Sequence, residues 1–148
     1  MFPRISKFSV AIMMVCGLAS CAPGGPTTGP TYTEKQSSVV PPAGGYGRIY
    51  IYRAAMGPGL LPMVKVNDEI VGEARTNGYL YLDRPPGNYK ISASTKIQDD
   101  LYLPLEAGQI RFVQLVPQFG VLAWHIRAEL VENAKGRNDI VSLHYTGR

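Results

Sequence analysis

Residues that carry enzyme chemistry are scarce in this sequence: its 148 residues include 2 cysteines, 2 histidines and 1 tryptophan. Nucleophilic catalysis needs a nucleophile, a base and an orienting group close together. His125 alternates with Arg127 and Glu129, which predicts a solvated side chain, and His144 lies near the chain end. The sequence therefore predicts no enzyme, no catalytic residue, no metal and no cofactor.

Other patterns are also missing. Charged residues make up 18% of the chain and form no basic patch with interleaved aromatic residues, so nothing supports nucleic-acid binding. There is no internal repeat, no heptad pattern and no helical stretch that would complete a βαβ unit. Asp99 and Asp100 either hold calcium or lie in a solvated loop, and no EF-hand spacing surrounds them.

The first 20 residues have the pattern of a secretory signal peptide. Arg4 and Lys7 supply the positive charge, and the uncharged apolar run from Phe8 to Leu18 follows. That run is too short to cross a bilayer, which takes about 20 apolar residues. We therefore expect residues 1–20 to be removed on export.

The end of the apolar run, Leu18-Ala19-Ser20-Cys21, resembles the lipobox of bacterial lipoproteins. The resemblance implies a diacylglyceryl thioether on Cys21, cleavage before it and acylation of the new amino group. The alternative is an ordinary signal peptide with a chance cysteine. Ala22, rather than aspartate, resembles the pattern that directs lipoproteins to the outer membrane of a diderm host. Membrane lipid is thus an expected partner, with the domain facing the periplasm or the cell surface.

Residues 21–46 are predicted to be a flexible linker, because 16 of these 26 residues are Gly, Pro, Ser or Thr. Such a composition cannot bury enough apolar surface to offset chain entropy. Loss of Arg4 and Lys7 with the signal leaves 13 basic against 11 acidic residues, so the mature chain is nearly neutral. Residues 47–148 are then one domain of ordinary size.

The domain is predicted to be all-β, because apolar and polar residues alternate with period two. Eight segments follow this pattern, separated by turn signals: 48–53, 63–67, 69–73, 78–83, 88–95, 101–105, 109–116 and 123–131. Short strands at this spacing indicate a sandwich or barrel. Residues 133–145 are ambiguous, and Ile140 and Leu143 favour a short helix. The predicted core includes Leu82, Ile91, Phe112, Trp124 and Ile126.

Two turns and one irregularity stand out. Asn67-Asp68 predicts a tight hairpin turn, since both residues tolerate positive φ. Pro85-Pro86-Gly87 predicts another turn, in which the glycine supplies an unusual φ. In segment 109–116 the apolar phase slips between Phe112 and Val113, which indicates either a bulge or burial on both faces.

Several of these pieces, in order, resemble the domain-of-unknown-function 2846 family of small bacterial lipoproteins and exported proteins. They are GRIYIYR, VKVND, VGEARTNGYLYLDRPPGNYKISAST and AGQIRFVQL, across roughly residues 47–116. Asp68 departs from the glycine usual in the family. The resemblance implies a prealbumin-like or carboxypeptidase-regulatory-like β-sandwich, and it implies no activity.

Two features suggest contact surfaces. Tyr50, Tyr52, Tyr79 and Tyr81 fall on the parity opposite the aliphatic residues and are a candidate binding surface, because tyrosine combines contact area with a polar tip. The alternatives are cross-strand packing or cover by the tail. The loop Ala54–Pro62, with Met56, Leu60 and Leu61, either contacts a partner or tucks over an open end of the sandwich.

The function expected from these patterns is that of a non-catalytic envelope module that binds a protein or glycan partner. The alternative is a structural accessory subunit of an envelope assembly. An exposed tyrosine surface would favour the first, and a large apolar patch including Met56, Leu60 and Leu61 would favour the second.

Overall fold

The computed structural model describes residues 27, 29–36, 42, 44–54, 57, 59–95, 97, 99–121 and 123–147. The predictions for the signal peptide and for Cys21 lie outside these residues. The described parts form these elements: α1 (Tyr32–Gln36), β1 (Gly47–Arg53), β2 (Met63–Val66), β3 (Glu69–Glu73), β4 (Gly78–Arg84), β5 (Gly87–Ala93), β6 (Leu101–Leu105), β7 (Ile110–Phe119), β8 (Trp124–Val131), α2 (Asn133–Ile140) and β9 (His144–Tyr145).

The strands form two sheets, which confirms the predicted all-β sandwich. The first sheet has the order β8-β7-β1-β4-β9 and the second has the order β3-β2-β5-β6. Within the first sheet, β1 is antiparallel to β4 and parallel to β7. The inward faces of both sheets enclose an aliphatic core that includes Ile49, Ile51, Val64, Ile91, Leu103, Val113 and Ile126.

The hairpin between β2 and β3 has the predicted turn. Asn67 and Asp68 have φ angles of 48° and 67°, the pair of positive values that a type I′ turn requires. The Asn67 side chain accepts a hydrogen bond from the Lys90 amide at 2.8 Å, and the Lys90 ammonium pairs with Asp68. The second turn also forms between β4 and β5, but Gly87 does not have a positive φ, so that detail of the prediction is wrong.

The phase slip in β7 reflects burial on both faces. Phe112 and Val113 are neighbours in sequence and both are buried, and they belong to different clusters on opposite sides of the sheet. The register between β7 and β8 runs without interruption from Phe112 opposite Val131 to Phe119 opposite Trp124, so no bulge is needed there. The first sheet therefore has a second apolar layer on its outer face.

The predicted core is correct for Ile91 and Ile126, which are fully buried between the sheets, and Leu82 is partly buried against the same core. Phe112 is buried too, but in the outer layer. Trp124 is 43% exposed, so its assignment to the core is wrong. It starts β8 opposite Phe119, the last residue of β7, and an inward parity buries a side chain only where the other sheet covers it.

The next residue corrects a second expectation. His125 is buried rather than solvated, and its neighbour Gly120 lies close to the imidazole. Leu130, on the same parity as Ile126, is exposed near the other end of β8. Alternation along β8 thus gives the correct burial only in the middle of the strand.

Part of the predicted linker is folded onto the domain. Tyr32 begins α1, its amide donates a hydrogen bond to the Leu143 carbonyl at 2.9 Å, and Thr31 forms a bridge with His144. The predicted flexible linker therefore does not extend over residues 29–36. The linker was predicted from its Gly, Pro, Ser and Thr content alone. Composition does not show that a single aromatic residue, Tyr32, packs into an apolar cluster.

Candidate functional site

The four tyrosines of the candidate surface do share one face of the first sheet. In the antiparallel pair of β1 and β4, Tyr50 lies opposite Tyr81 and Tyr52 lies opposite Tyr79. Side chains on the same parity of paired strands point to the same side. The predicted clustering of these tyrosines is confirmed.

That face is covered by the chain itself. The residues that pack over it are Tyr32 of α1, Ile140 of α2, Leu143, and Tyr145 of β9. They bury Tyr50, Tyr52 and Tyr79 and partly bury Tyr81. A binding surface made of these side chains would need them exposed, and three of the four are buried. The alternative, in which the tail covers the tyrosines, is the arrangement found. Parity separates the two faces of a strand, but it does not say which face meets solvent.

The covered tyrosines pack closely. Tyr50 stacks on Phe112 with ring centroids 5.0 Å apart and planes 9° apart. Tyr32 meets Tyr50 and Tyr79 edge-on, at 5.9 and 5.7 Å. Aromatic pairs of this kind contribute about 0.5–1.5 kcal/mol each beyond area burial. The aromatic layer thus stabilises the fold.

Tyr52 connects the sheet to α2 through a polar contact. Its hydroxyl donates a hydrogen bond to Asp139 Oδ2 at 2.6 Å, and Lys135 pairs with the same carboxylate. Burial, followed by the hydrogen bond to Asp139 and the negative charge of that carboxylate, raises the pKa of Tyr52. Burial alone would raise the pKa of Asp139, but hydrogen bonds from Lys135 and Tyr52 outweigh it and the pKa is lowered. Tyr52 is therefore a protonated donor that holds α2 in place.

Arg48 flanks the same layer at the other end of β1. Its Nε and Nη2 donate to the two oxygens of Asp83 at 2.6 and 2.7 Å, and its guanidinium lies 4.5 Å from the ring centre of Tyr81. The hydrogen bond to Asp83 is the main cause of a raised Arg48 pKa. A bidentate pair of this type, between a buried arginine and a partly exposed aspartate, stabilises the cross-strand register.

A second candidate surface lies at one end of the sandwich. The residues Leu60, Leu61, Pro62, Ser94, Thr95, Ala123 and Trp124 line an open groove of about 470 Å³ there. Beside it the Phe119 ring packs edge-on against Trp124 at 5.2 Å, and Phe119 is 70% exposed and Val121 is 97% exposed. Sequence reasoning found Leu60 and Leu61 but missed Phe119 and Val121. The run FGVLAW at 119–124 could have indicated this surface, because it contains more apolar residues than a solvent-exposed connection between two strands requires.

Arg53, the last residue of β1, anchors the segment that carries Leu60 and Leu61. This buried arginine donates from Nη1 to the carbonyls of Leu60 and Ala74, at 2.6 and 3.0 Å. Gly57 has a φ of +99° and approaches the ring of Pro117, a position where a side chain would clash. Leu60 and Gly57 are therefore held against Arg53 and Pro117, two residues of the first sheet. Met56, named with it in the prediction, lies outside the described residues.

Two other candidate residues, Asp99 and His144, have ordinary structural contacts. Asp99 forms an ion pair with Arg127 at 2.6 Å, and His144 Nδ1 lies 2.6 Å from the Gly29 carbonyl. Among the described residues, no three His, Cys, Asp or Glu side chains are grouped as a metal site would require. In the same part of the chain, no helix is both long enough and apolar enough to cross a membrane.

Comparison with known proteins places this geometry in a family. Residues 43–123, more than half of the chain, match the family described as "Protein of unknown function (DUF2846)". An uncharacterized protein of Haemophilus influenzae is 27% identical over 150 residues, covering 97% of this chain and 84% of the relative. The sequence resemblance and the sandwich agree with this match, and the chain belongs to the DUF2846 family.

Proposed function

We propose that this protein is a lipid-anchored, non-catalytic module of the bacterial envelope with a structural, accessory role. The observation that carries the proposal is the Leu18-Ala19-Ser20-Cys21 sequence at the end of an apolar run. Lipidation of Cys21 would make membrane lipid the first partner. Ala22 after the cysteine favours the outer membrane.

The structural role is supported by how the chain uses its aromatic residues. Tyr50, Tyr52 and Tyr79 are occupied by internal packing and are not available to a ligand. In contrast, Leu60 and Leu61 are exposed on an apolar surface, which is the feature that favours an accessory subunit over a tyrosine-based receptor.

A binding module remains the second candidate, and one observation favours it. The outer face of the four-stranded sheet carries Tyr102, which is 71% exposed and lies opposite Lys90 in the register of β5 and β6. An exposed ring beside a lysine offers both area and hydrogen-bond donors to an envelope protein or a glycan. This face would replace the covered tyrosines as the contact surface.

Metabolic labelling with palmitate tests the lipid anchor. We expect label on the wild-type protein and on the Cys16→Ser variant, whose altered residue lies in the discarded signal, and no label on Cys21→Ser. The labelled protein should fractionate with the outer membrane of a diderm host. Label that persists on Cys21→Ser, or that is lost equally from Cys16→Ser, would contradict the proposal.

A further inference from the structure

We propose that one end of the sandwich docks on the bilayer, with its apolar side chains in the interfacial region of the lipid. This inference rests on the proposed anchor at Cys21 and assigns a surface to it. The surface, called here the apolar end, consists of Leu60, Leu61, Ile97, Phe119, Val121 and Trp124, all of them exposed.

These residues come from three connections that the topology brings to one end. Because β1 and β7 run parallel, the segments that follow Arg53 and Phe119 leave the sheet at the same end. The groove shared by Leu61, Thr95 and Trp124 brings the segment after β5 and the start of β8 to the same place. The apolar end is thus a continuous surface.

The chain that leads back to Cys21 reaches the domain at this end. Thr27 Oγ1 donates a hydrogen bond to the Thr76 carbonyl at 2.8 Å, in the connection between β3 and β4. Arg53 bridges that connection to the Leu60 loop through the carbonyls of Ala74 and Leu60. Cys21 lies six residues before Thr27, a span of at most about 21 Å when fully extended. A lipid on Cys21 would therefore hold the apolar end close to the membrane.

The two ends of the sandwich differ in chemistry. The opposite end carries the turns with Asp68, Glu69 and Glu106, all exposed and acidic. At the apolar end, the nearby charges of Glu73 and Asp99 are paired with Arg75 and Arg127. Asp68 and Glu69 are likewise paired, with Lys90 and Arg84, so ion pairs are present at both ends. The cluster of exposed apolar side chains is what distinguishes the apolar end.

The residue types suit a membrane interface. Tryptophan is enriched where a bilayer meets water, since its ring is apolar and its indole N–H is polar. A few apolar side chains bind lipid weakly by themselves. A covalent anchor keeps the bilayer at a high effective concentration, so weak contacts suffice to hold the orientation.

Trp124 is the single tryptophan of the chain and provides the probe. Purified lipidated protein would be placed in phosphatidylcholine–phosphatidylglycerol vesicles, with and without lipids brominated near the headgroup end of the acyl chains. We expect the brominated lipids to quench Trp124 emission roughly twofold or more, as for an interfacial aromatic residue. Aqueous acrylamide should quench the vesicle-bound protein less than the Cys21→Ser protein in buffer.

Matched variants locate the contact. Leu60→Ser, Leu61→Ser and Val121→Ser combined should remove most of the quenching by brominated lipid, although lipidation and folding are unchanged. Ile70→Ser combined with Tyr102→Ser alters exposed apolar residues outside the apolar end and should quench like wild type. All altered side chains are exposed, so we expect each variant to fold. Circular dichroism checks this.

The outcomes separate the two proposals. Absence of the lipid in the mass of the purified protein would contradict the proposed function itself. A lipidated, vesicle-bound protein whose Trp124 is reached by acrylamide and not by brominated lipid would overturn the docking proposal and leave the anchor intact. Trp124 that is shielded only in native envelope membranes, and not in vesicles, would assign the apolar end to a protein partner and would likewise overturn it.

Discussion

Gly136 provides a sharp test of how α2 covers the first sheet. This glycine is buried in the middle of the helix, and a Cβ built on it would lie 2.2 Å from Cγ and 2.4 Å from Cβ of Phe112. Glycine within a helix costs about 0.5–1 kcal/mol relative to alanine. Helix propensity by itself therefore predicts that Gly136→Ala stabilises the protein.

The contact with Phe112 reverses that expectation. Carbon atoms pack at about 3.5–4.0 Å, so α2 would have to move away from β7 by more than an ångström. Overpacking of this kind costs about 1–3 kcal/mol, and the upper half of that range applies because the clash involves the Cβ of Phe112, which cannot rotate away. Against the gain in propensity, we expect Gly136→Ala to lower the free energy of unfolding by about 2 kcal/mol.

Urea denaturation of the chain from Ala22 onward measures the change, because that chain retains every residue the structure describes. Near-ultraviolet circular dichroism reports on the tyrosine layer directly. Asn138→Ala is the control, since Asn138 is exposed in the same helix and gains propensity without a clash. Equal stabilisation of both variants would show that α2 does not press on Phe112 and would refute the packing described above.

Two further changes test the tyrosine layer and the strand phase. Tyr52→Phe removes the hydroxyl that donates to Asp139 and should cost about 1–3 kcal/mol in urea denaturation, whereas Tyr102→Phe, at an exposed site, should cost nothing measurable. If both variants unfold at the same urea concentration, the contact with Asp139 does not hold α2. Ile126→Ala should cost about 2–5 kcal/mol, and Trp124→Ala, two residues earlier on the same parity, should cost far less because its side chain is partly solvated. A larger loss for Trp124→Ala would return Trp124 to the core.

Local patterns of the sequence identified the strands well. Alternation in β1 placed Ile49 and Ile51 on one face and Tyr50 and Tyr52 on the other, and the structure has both sets as predicted. The Asn67-Asp68 turn was equally accessible, because positive φ is a property of one or two residues. These features depend on near neighbours in the chain, and sequence reports near neighbours directly.

The cover over the tyrosines depends on contacts that local patterns do not encode. Tyr32 and Tyr145 meet the same sheet from opposite ends of the chain, and neither stands in an amphipathic segment long enough to signal burial. Alternation therefore predicts that Tyr50 and Tyr79 share a face, but it does not show what lies on that face. The prediction that Trp124 lies in the core was wrong for a related reason. How far the opposing sheet extends depends on the order of the strands, and parity along one strand does not show it.

The pairing of residues 29–36 with residues 141–146 has a consequence for how the domain folds. Their contacts include Thr33 with the Val141 carbonyl and Tyr145 with the Pro30 carbonyl. Thr33 and Val141 are 108 positions apart, so this contact closes a far longer loop than any hairpin of the sheets and carries a larger entropic cost. We expect these contacts to form late in folding, after the strands between them have paired.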